Sequence, residues 1–137
     1  TTSVNAYRGI ITAPGKSLKI RAKAVKDLIL KMKNNYLKRA EQADSIHAEI
    51  ERSPYPVLVC GDFNDTPASY TYHRLREGLT DGFRDCGSGY QYTFRQLYKL
   101  WRIDYVFYSE SLKGYECYSP ETSYSDHNMV VWKGIIN

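Results

Sequence analysis

Paired cysteines, long apolar runs and internal repeats are all absent from this sequence of 137 residues. Its three cysteines, Cys60, Cys86 and Cys117, lie far apart, which excludes the close pairs of a zinc site or a disulfide scaffold. We therefore expect free, mostly buried, reduced thiols. No apolar segment approaches the roughly 20 residues that a membrane helix needs, so the chain as given is expected to be soluble.

A strong charge of one sign and a targeting leader are also lacking. The net charge is +4, and acidic and basic residues interleave except in the lysine-rich stretch 16–39. This balance permits a phosphate-bearing partner without requiring one. Residues 1–5 contain neither a charged and apolar leader nor an initiator methionine, so an upstream leader or membrane segment is compatible with the sequence. The compartment therefore stays open.

A helical segment dominates the first half of the chain. Apolar residues recur at steps of three and four over residues 18–51, which is the spacing of one helical face. An uninterrupted helix of this length would span about 50 Å at about 1.5 Å per residue, so we expect a break near Asn34 and Asn35. Pro54 ends the helix. The polar and irregular residues 1–17 are predicted to form a loop.

Strands and turns are predicted for most of the remainder, residues 56–137. The short apolar run 57–60 is expected to be a strand covered on both faces. Residues 69–79 are expected to form a short helix with Ser69 as its N-cap, followed by loops around Asp81 and Gly82. Further strands are predicted at 92–94, 101–108, 115–118 and 129–135. A helix first and strands last indicates a single α/β (α+β) domain whose later strands pair antiparallel.

A tight acidic turn, Gly61-Asp62-Phe63-Asn64-Asp65, follows the first of these strands. The strand fixes the backbone, and the loop after it exposes side-chain oxygens beyond the carboxyl end of the strand. Asp62 and Asn64 are two residues apart and can face one space, as a metal-dependent hydrolase requires. The alternative is that these side chains only form Asx turns and cap the next helix. A calcium loop is excluded, because its sixth position needs glycine and is here Pro67.

Asp104 lies in a strongly apolar segment, where burial of an unpaired carboxylate would be costly. Its partner is either Arg102, in a local salt bridge, or His127, just before the last strand. His127 is the preferred partner, because a carboxylate that binds one imidazole nitrogen leaves the other for a phosphate or water. A Ser-His-Asp hydrolase is excluded, since residues 125–127 are adjacent and no Gly-x-Ser-x-Gly segment is present. The remaining histidines are expected to be structural: His47 and His73.

Three motifs together resemble the endonuclease/exonuclease/phosphatase superfamily, which includes pancreatic deoxyribonuclease: Gly-Asp-Phe-Asn-Asp at 61–65, Arg-Ile-Asp-Tyr at 102–105 and Ser-Asp-His at 125–127. The resemblance implies divalent-metal-dependent hydrolysis of a phosphodiester or phosphomonoester by a nuclease, phosphodiesterase or phosphatase. Asn64 and Arg102 are candidate substrate-binding residues. The substrate class, whether nucleic acid, phospholipid or inositol phosphate, stays open. The alternative function is a non-catalytic binding or scaffold domain that retains the same fold.

The resemblance also implies roles for individual residues. Asp62 orients or deprotonates the attacking water, and Asn64 holds the scissile phosphate or a second cation. His127 stabilises the charge that develops on the phosphate, and Asp104 orients the imidazole. Asp126 binds the divalent cation, Mg²⁺ or Mn²⁺, directly or through water, and Asp62, Asn64 and His127 are further ligands at a second site.

The resemblance also implies a domain that is larger than this chain. Members of the superfamily are about twice as long and form a four-layer αββα sandwich of two sheets with flanking helices. This chain corresponds to the C-terminal half, with one mainly antiparallel sheet, and it shows no candidate for the principal metal ligand, a glutamate on an early strand. We expect the missing N-terminal half, or another chain, to cover the sheet face that is otherwise exposed. The isolated fragment is expected to be inactive.

Overall fold

The structure is a computed structural model that describes residues 18–95 and 100–136. The loop predicted for residues 1–17 lies outside this part of the chain. The described residues divide into two compact units between Arg39 and Ala40. The first unit contains helical residues, and the second contains every strand that the structure describes. The site described below lies wholly within the second unit.

One helix, α1, runs over Leu18–Arg52. The break expected near Asn34 and Asn35 is therefore wrong, because asparagine keeps the backbone N–H that an interior proline would remove. The helix ends just before Pro54, where the N–H of Ser53 donates to the carbonyl of Ile50 at 3.2 Å. None of the helices in the described residues combines the length and apolar character that crossing a membrane requires.

Five strands form two antiparallel sheets in the described residues. The first sheet has the order β1-β3-β2, and the second pairs β4 with β5. The mixed helical and antiparallel fold is thus confirmed, although the strands form two small sheets rather than one. The chain turns at Ser109, whose carbonyl accepts the N–H of Leu112 at 2.9 Å, and β4 there leaves the first sheet. The strand bounds are β1 Leu58–Asp62, β2 Thr80–Asp81, β3 Asp104–Tyr108, β4 Leu112–Tyr118 and β5 Val131–Ile136.

Two short helices follow the acidic turn, α2 at Tyr70–Arg76 and α3 at Gly82–Cys86. Ser69 is the N-cap of α2, as predicted. The second helix replaces an expected loop, because the carboxylate of Asp81 caps it by accepting the N–H groups of Phe83 and Arg84. Capping by a side chain thus begins both helices.

The segment 92–94, predicted to be a strand, forms only isolated bridges. Phe94 makes them, to Trp101 on one side and to His127 on the other. A single residue that bridges two segments cannot continue a ladder with either, so no strand forms. The bridges nevertheless bring the segment before β3 and the loop before β5 together.

The core lies on one face of the first sheet. Tyr105 and Phe107 alternate along β3 and face this core, which is the period of two that a strand imposes. Helical side chains pack against them from α1 and α2. The buried members of the cluster are Ala43, Tyr72, Leu75, Tyr105 and Phe107.

The opposite face of β1 is open, so the expectation that this strand is covered on both faces is wrong. Leu58 is 49% exposed, and Cys60 is exposed beside it. The expectation of mostly buried thiols also needs correction: all three cysteines are free, but only Cys117 is buried, Cys86 is partly buried and Cys60 is exposed.

Removal of the Ser69 hydroxyl tests the capping interaction. Its oxygen accepts the backbone N–H of Tyr72 at 3.1 Å, so we expect Ser69→Ala to lower the free energy of unfolding by about 1 kcal/mol. Urea unfolding measures the change. Ser45→Ala is the matched control, because the exposed Ser45 hydroxyl only donates to Glu41 within α1. An equal loss in both variants would contradict the capping role.

Candidate active site

Two carboxylates face each other at one end of the first sheet. Asp62 ends β1 and Asp104 begins β3, and the two residues are direct partners in the antiparallel register. Side chains of such partners lie on the same face and close together, where two negative charges repel. The pair therefore requires a cation or a proton-bearing partner.

His127 supplies such a partner. Its Nδ1 lies 3.0 Å from Oδ2 of Asp104, with 26% of the imidazole and 17% of the carboxylate side chain exposed. The ring of Phe94 packs against the imidazole, with ring centres 5.1 Å apart. When Nδ1 carries the proton, it donates to the carboxylate and leaves Nε2 for another group. The structure therefore contains the pair of Asp104 and His127 that the sequence favours.

The acidic turn arranges Asp62 and Asn64 through hydrogen bonds. Oδ1 of Asp62 accepts the backbone N–H of Asn64 at 2.8 Å, and Oδ2 accepts its side-chain amide at 3.1 Å. Asn64 has a positive φ of 52°, which is the left-handed region. The Asx turn considered from the sequence is thus formed, but Ser69 rather than the turn caps α2. Both side chains of the turn are exposed.

Ligand atoms of Asp62, Asp104 and His127 all lie within 4.8 Å of one another. A cavity of about 370 Å³ adjoins them, and its lining includes these three residues together with Tyr124 and Ser125. Carboxylate oxygens and imidazole nitrogen are donors that divalent cations accept, with Mn²⁺ tolerating the nitrogen better than Mg²⁺. The cluster therefore fits part of a cation's coordination sphere. A phosphate ester has room in the adjoining cavity.

Asp126, the metal ligand implied by the resemblance, is placed differently. Its side chain is exposed and is not a member of the cluster formed within the described residues. Its carbonyl accepts the N–H of Arg95 at 2.8 Å, while Nη1 of Arg95 donates to the carbonyl of Ser125 at 2.9 Å. The structure thus uses the backbone around Asp126 to fix the loop that carries His127.

Arg102, a candidate substrate-binding residue, instead pairs with Asp81. Nη1 lies 2.9 Å from Oδ1 and Nη2 lies 2.7 Å from Oδ2, so the contact is bidentate. The guanidinium is only 10% exposed and stacks 4.8 Å above the ring of Tyr105. Burial disfavours both charges, but the Arg102 guanidinium and the Tyr72 hydroxyl outweigh it and hold the pKa of Asp81 below its usual value. We therefore assign Arg102 a structural role, and the local salt bridge to Asp104 is not formed.

Three buried polar residues beside the site were not predicted from the sequence. Thr93, Asn128 and Thr122 are all buried. The Asn128 N–H donates to the carbonyl of Thr93 at 2.6 Å, and the Thr122 hydroxyl donates to the carbonyl of His127 at 2.9 Å. Asn128 follows the Ser-Asp-His motif directly, but nothing in the sequence pattern distinguishes Thr93 from other threonines. Only the fold brings these residues together.

A model of the endonuclease/exonuclease/phosphatase family matches residues 13–127. Among solved structures, an endonuclease/exonuclease/phosphatase from Bacteroides vulgatus is similar, with 24% identity and a TM-score of 0.64 over 72% of this chain and 44% of that one. A mannosyl-6-phosphatase from Bacteroides thetaiotaomicron has 21% identity and a TM-score of 0.63, over 72% of this chain and 46% of that one. No curated protein matches the chain.

A functionally unknown conserved protein from Enterococcus faecalis gives a TM-score of 0.66 at 20% identity, over 74% of this chain and 46% of that one. Likeness at these identities shows the fold alone. The chain spans less than half the length of these three structures.

Proposed function

The chain belongs to the endonuclease/exonuclease/phosphatase family, and we propose that it carries part of the active site of a divalent-metal-dependent phosphate ester hydrolase. The observation that supports the proposal most strongly is the cluster of Asp62, Asp104 and His127, with ligand atoms within 4.8 Å. Asp62 and Asp104 repel each other as direct partners in the sheet, and a bound cation beside them would relieve that repulsion.

Within the proposal, His127 and Asp104 act as a unit. Asp104 holds Nδ1 of the imidazole, so that Nε2 can stabilise the charge that develops on the phosphoryl group. Asp62 orients or deprotonates the attacking water, and the amide of Asn64 holds a phosphoryl oxygen. The hydrogen bond from Asn64 to Asp62 fixes both side chains for these roles. A bound Mg²⁺ or Mn²⁺ would supply further positive charge at the phosphoryl oxygens.

Asp62 is the cation ligand that we favour within this chain. Asp104 is committed to His127, and Asp126 lies outside the cluster. Mg²⁺ commonly keeps several water ligands and binds through one or two carboxylates, so a single carboxylate here is compatible with binding. In the proposal, water, substrate and a glutamate in the other half of the domain would supply the remaining ligands.

We further propose that the rest of the domain covers the open face of β1. The chain spans 44% to 46% of the length of three similar structures, which leaves about half of the fold unaccounted for. Met129, which lines the cavity, is 52% exposed, and Leu58, at the other end of β1 from Asp62, is 49% exposed. Both are apolar side chains that another sheet would bury. In this proposal the isolated chain has little or no activity.

The activity test uses the protein that contains both halves of the domain. Because one similar structure is a mannosyl-6-phosphatase, a sugar phosphate is the first phosphomonoester to assay, beside a dinucleotide phosphodiester. We expect release of phosphate or cleavage of the diester with Mg²⁺ or Mn²⁺, and loss of turnover when a chelator is added. A folded protein that binds these compounds but turns over neither would instead support the scaffold function.

Binding of Mn²⁺ to the chain itself gives a separate prediction. We expect Mn²⁺ to broaden the NMR amide signals of Asp62 and Asp104 first, because these residues lie in the cluster. Asp62→Asn should weaken Mn²⁺ binding by about tenfold, equivalent to about 1.4 kcal/mol, since it removes a charged ligand. Asp126→Asn is the matched comparison and should change binding little. The reverse order of effects would move the cation to Asp126.

A further inference from the structure

Thr93 lies beside the site and bonds to two of the segments that form it, at Asp104 and at Asn128. It is fully buried, at 0% exposure. Its Oγ1 accepts two backbone N–H groups, from Ile103 at 2.9 Å and from Asp104 at 3.0 Å. Its carbonyl accepts the N–H of Asn128 at 2.6 Å. One residue therefore bonds directly to Asp104 and to the neighbour of His127.

The hydroxyl oxygen of Thr93 is the acceptor for two backbone N–H groups at the start of β3. Buried N–H groups require acceptors, and a hydroxyl oxygen has two lone pairs. The N–H groups of Ile103 and Asp104 use both of them at the start of β3. The backbone position of Asp104, and with it the direction of its carboxylate, thus depends on the Thr93 side chain.

We infer that Thr93 is a positioning residue that sets the distance between Asp104 and His127. The inference rests on the proposed function for its effect on turnover, but not for its effect on geometry. Thr93 is not itself a member of the cavity lining or of the cluster, and it acts through the backbones of Asp104 and Asn128, which line the cavity. Phe94, the next residue, adds the bridge to His127 and the ring contact with its imidazole.

Thr93→Val is the main variant, because valine keeps the shape and removes the hydroxyl oxygen. In the complete enzyme we expect kcat to fall by about 10- to 100-fold, the usual effect of losing an outer hydrogen-bond partner of a site residue, with KM nearly unchanged. Thr93→Ser keeps the oxygen and should restore kcat. In the chain itself, the ¹⁵N signals of the His127 ring should shift in Thr93→Val and not in Thr93→Ser.

Ser109→Ala is the matched control for a merely structural role. Oγ of Ser109 also accepts a backbone N–H, from Val57 at 2.6 Å, and lies at the opposite end of the β1 and β3 pair. This variant should lose stability without a change in the His127 ring signals or in kcat. If Thr93→Val fails to fold, Thr93→Cys offers a weaker acceptor of similar size and should give intermediate effects.

Unchanged His127 signals in a folded Thr93→Val or Thr93→Cys protein would overturn the inference. So would a Thr93→Ser variant as impaired as Thr93→Val, because the hydroxyl would then not be the cause. Absence of phosphate ester hydrolysis in the unmodified enzyme would refute the proposed function, while the ring signals would still decide the role of Thr93.

Discussion

Replacing His127 by alanine, in the protein that contains both halves of the domain, should on the proposed function lower kcat by about 10²- to 10⁴-fold, the usual contribution of a positioned acid or base. The imidazole is the one group in the described cluster that can carry positive charge, and Asp104 holds it at 3.0 Å. Its removal also leaves the carboxylates of Asp62 and Asp104 facing each other unshielded. Initial-rate kinetics with saturating Mg²⁺ or Mn²⁺ measures the effect.

His73→Ala is the control for this experiment, because His73 is exposed on α2 and outside the cluster. It should leave kcat unchanged. Asp104→Asn should lower kcat less than His127→Ala, since the amide still contacts Nδ1 but no longer stabilises a charged ring. Full activity of the His127 variant would show that the cluster does not perform the chemistry.

Replacing Arg102 by methionine should lower the free energy of unfolding by about 3–5 kcal/mol, because it leaves a buried charge unpaired. Asp81 is 3% exposed, and its carboxylate keeps only the Tyr72 hydroxyl and the α3 N–H groups after the change. Urea unfolding measures the loss. Arg74→Met, which breaks more exposed ion pairs to Asp44 and Glu77, should cost far less, because solvent screens these charges.

The pH dependence of this loss has a definite sign. The pKa of Asp81 lies below its usual 3.8 in the folded protein, so the pair stabilises the fold above that value, and the stabilisation is lost as pH falls through the folded pKa. The difference in stability between the unmodified chain and Arg102→Met should therefore be largest at neutral pH and shrink in acid. A difference independent of pH would mean that packing, not charge, causes the loss.

Local patterns in the sequence predicted the parts of the fold that depend on neighbours along the chain. The cap at Ser69 follows from local propensity, and the turn at Asp62 and Asn64 from the residues that form it. Asp104 and His127 are 23 residues apart, but their pairing could be predicted because a buried carboxylate needs a partner and the sequence offers few candidates.

The contacts that Arg102 and Thr93 make with distant segments could not be predicted from the sequence. Arg102 and Asp81 are 21 residues apart, and Asp81 looked like a loop residue because its capping of α3 and its ion pair exist only in the fold. Thr93 carries no signal in its own neighbourhood, since its acceptors and donors come from other segments. The open face of β1 was hidden for a different reason. An apolar run indicates that a face is to be covered, but not whether this chain provides the cover.

Asn64 determines how the acidic turn can be dissected by mutation. Its left-handed backbone, with φ at 52°, strains alanine, so an alanine variant would confuse backbone distortion with loss of the amide. Glycine adopts the same conformation without a side chain. Asn64→Gly is therefore the substitution that isolates the amide, whereas Asn64→Asp changes its charge and keeps a side chain that tolerates this backbone.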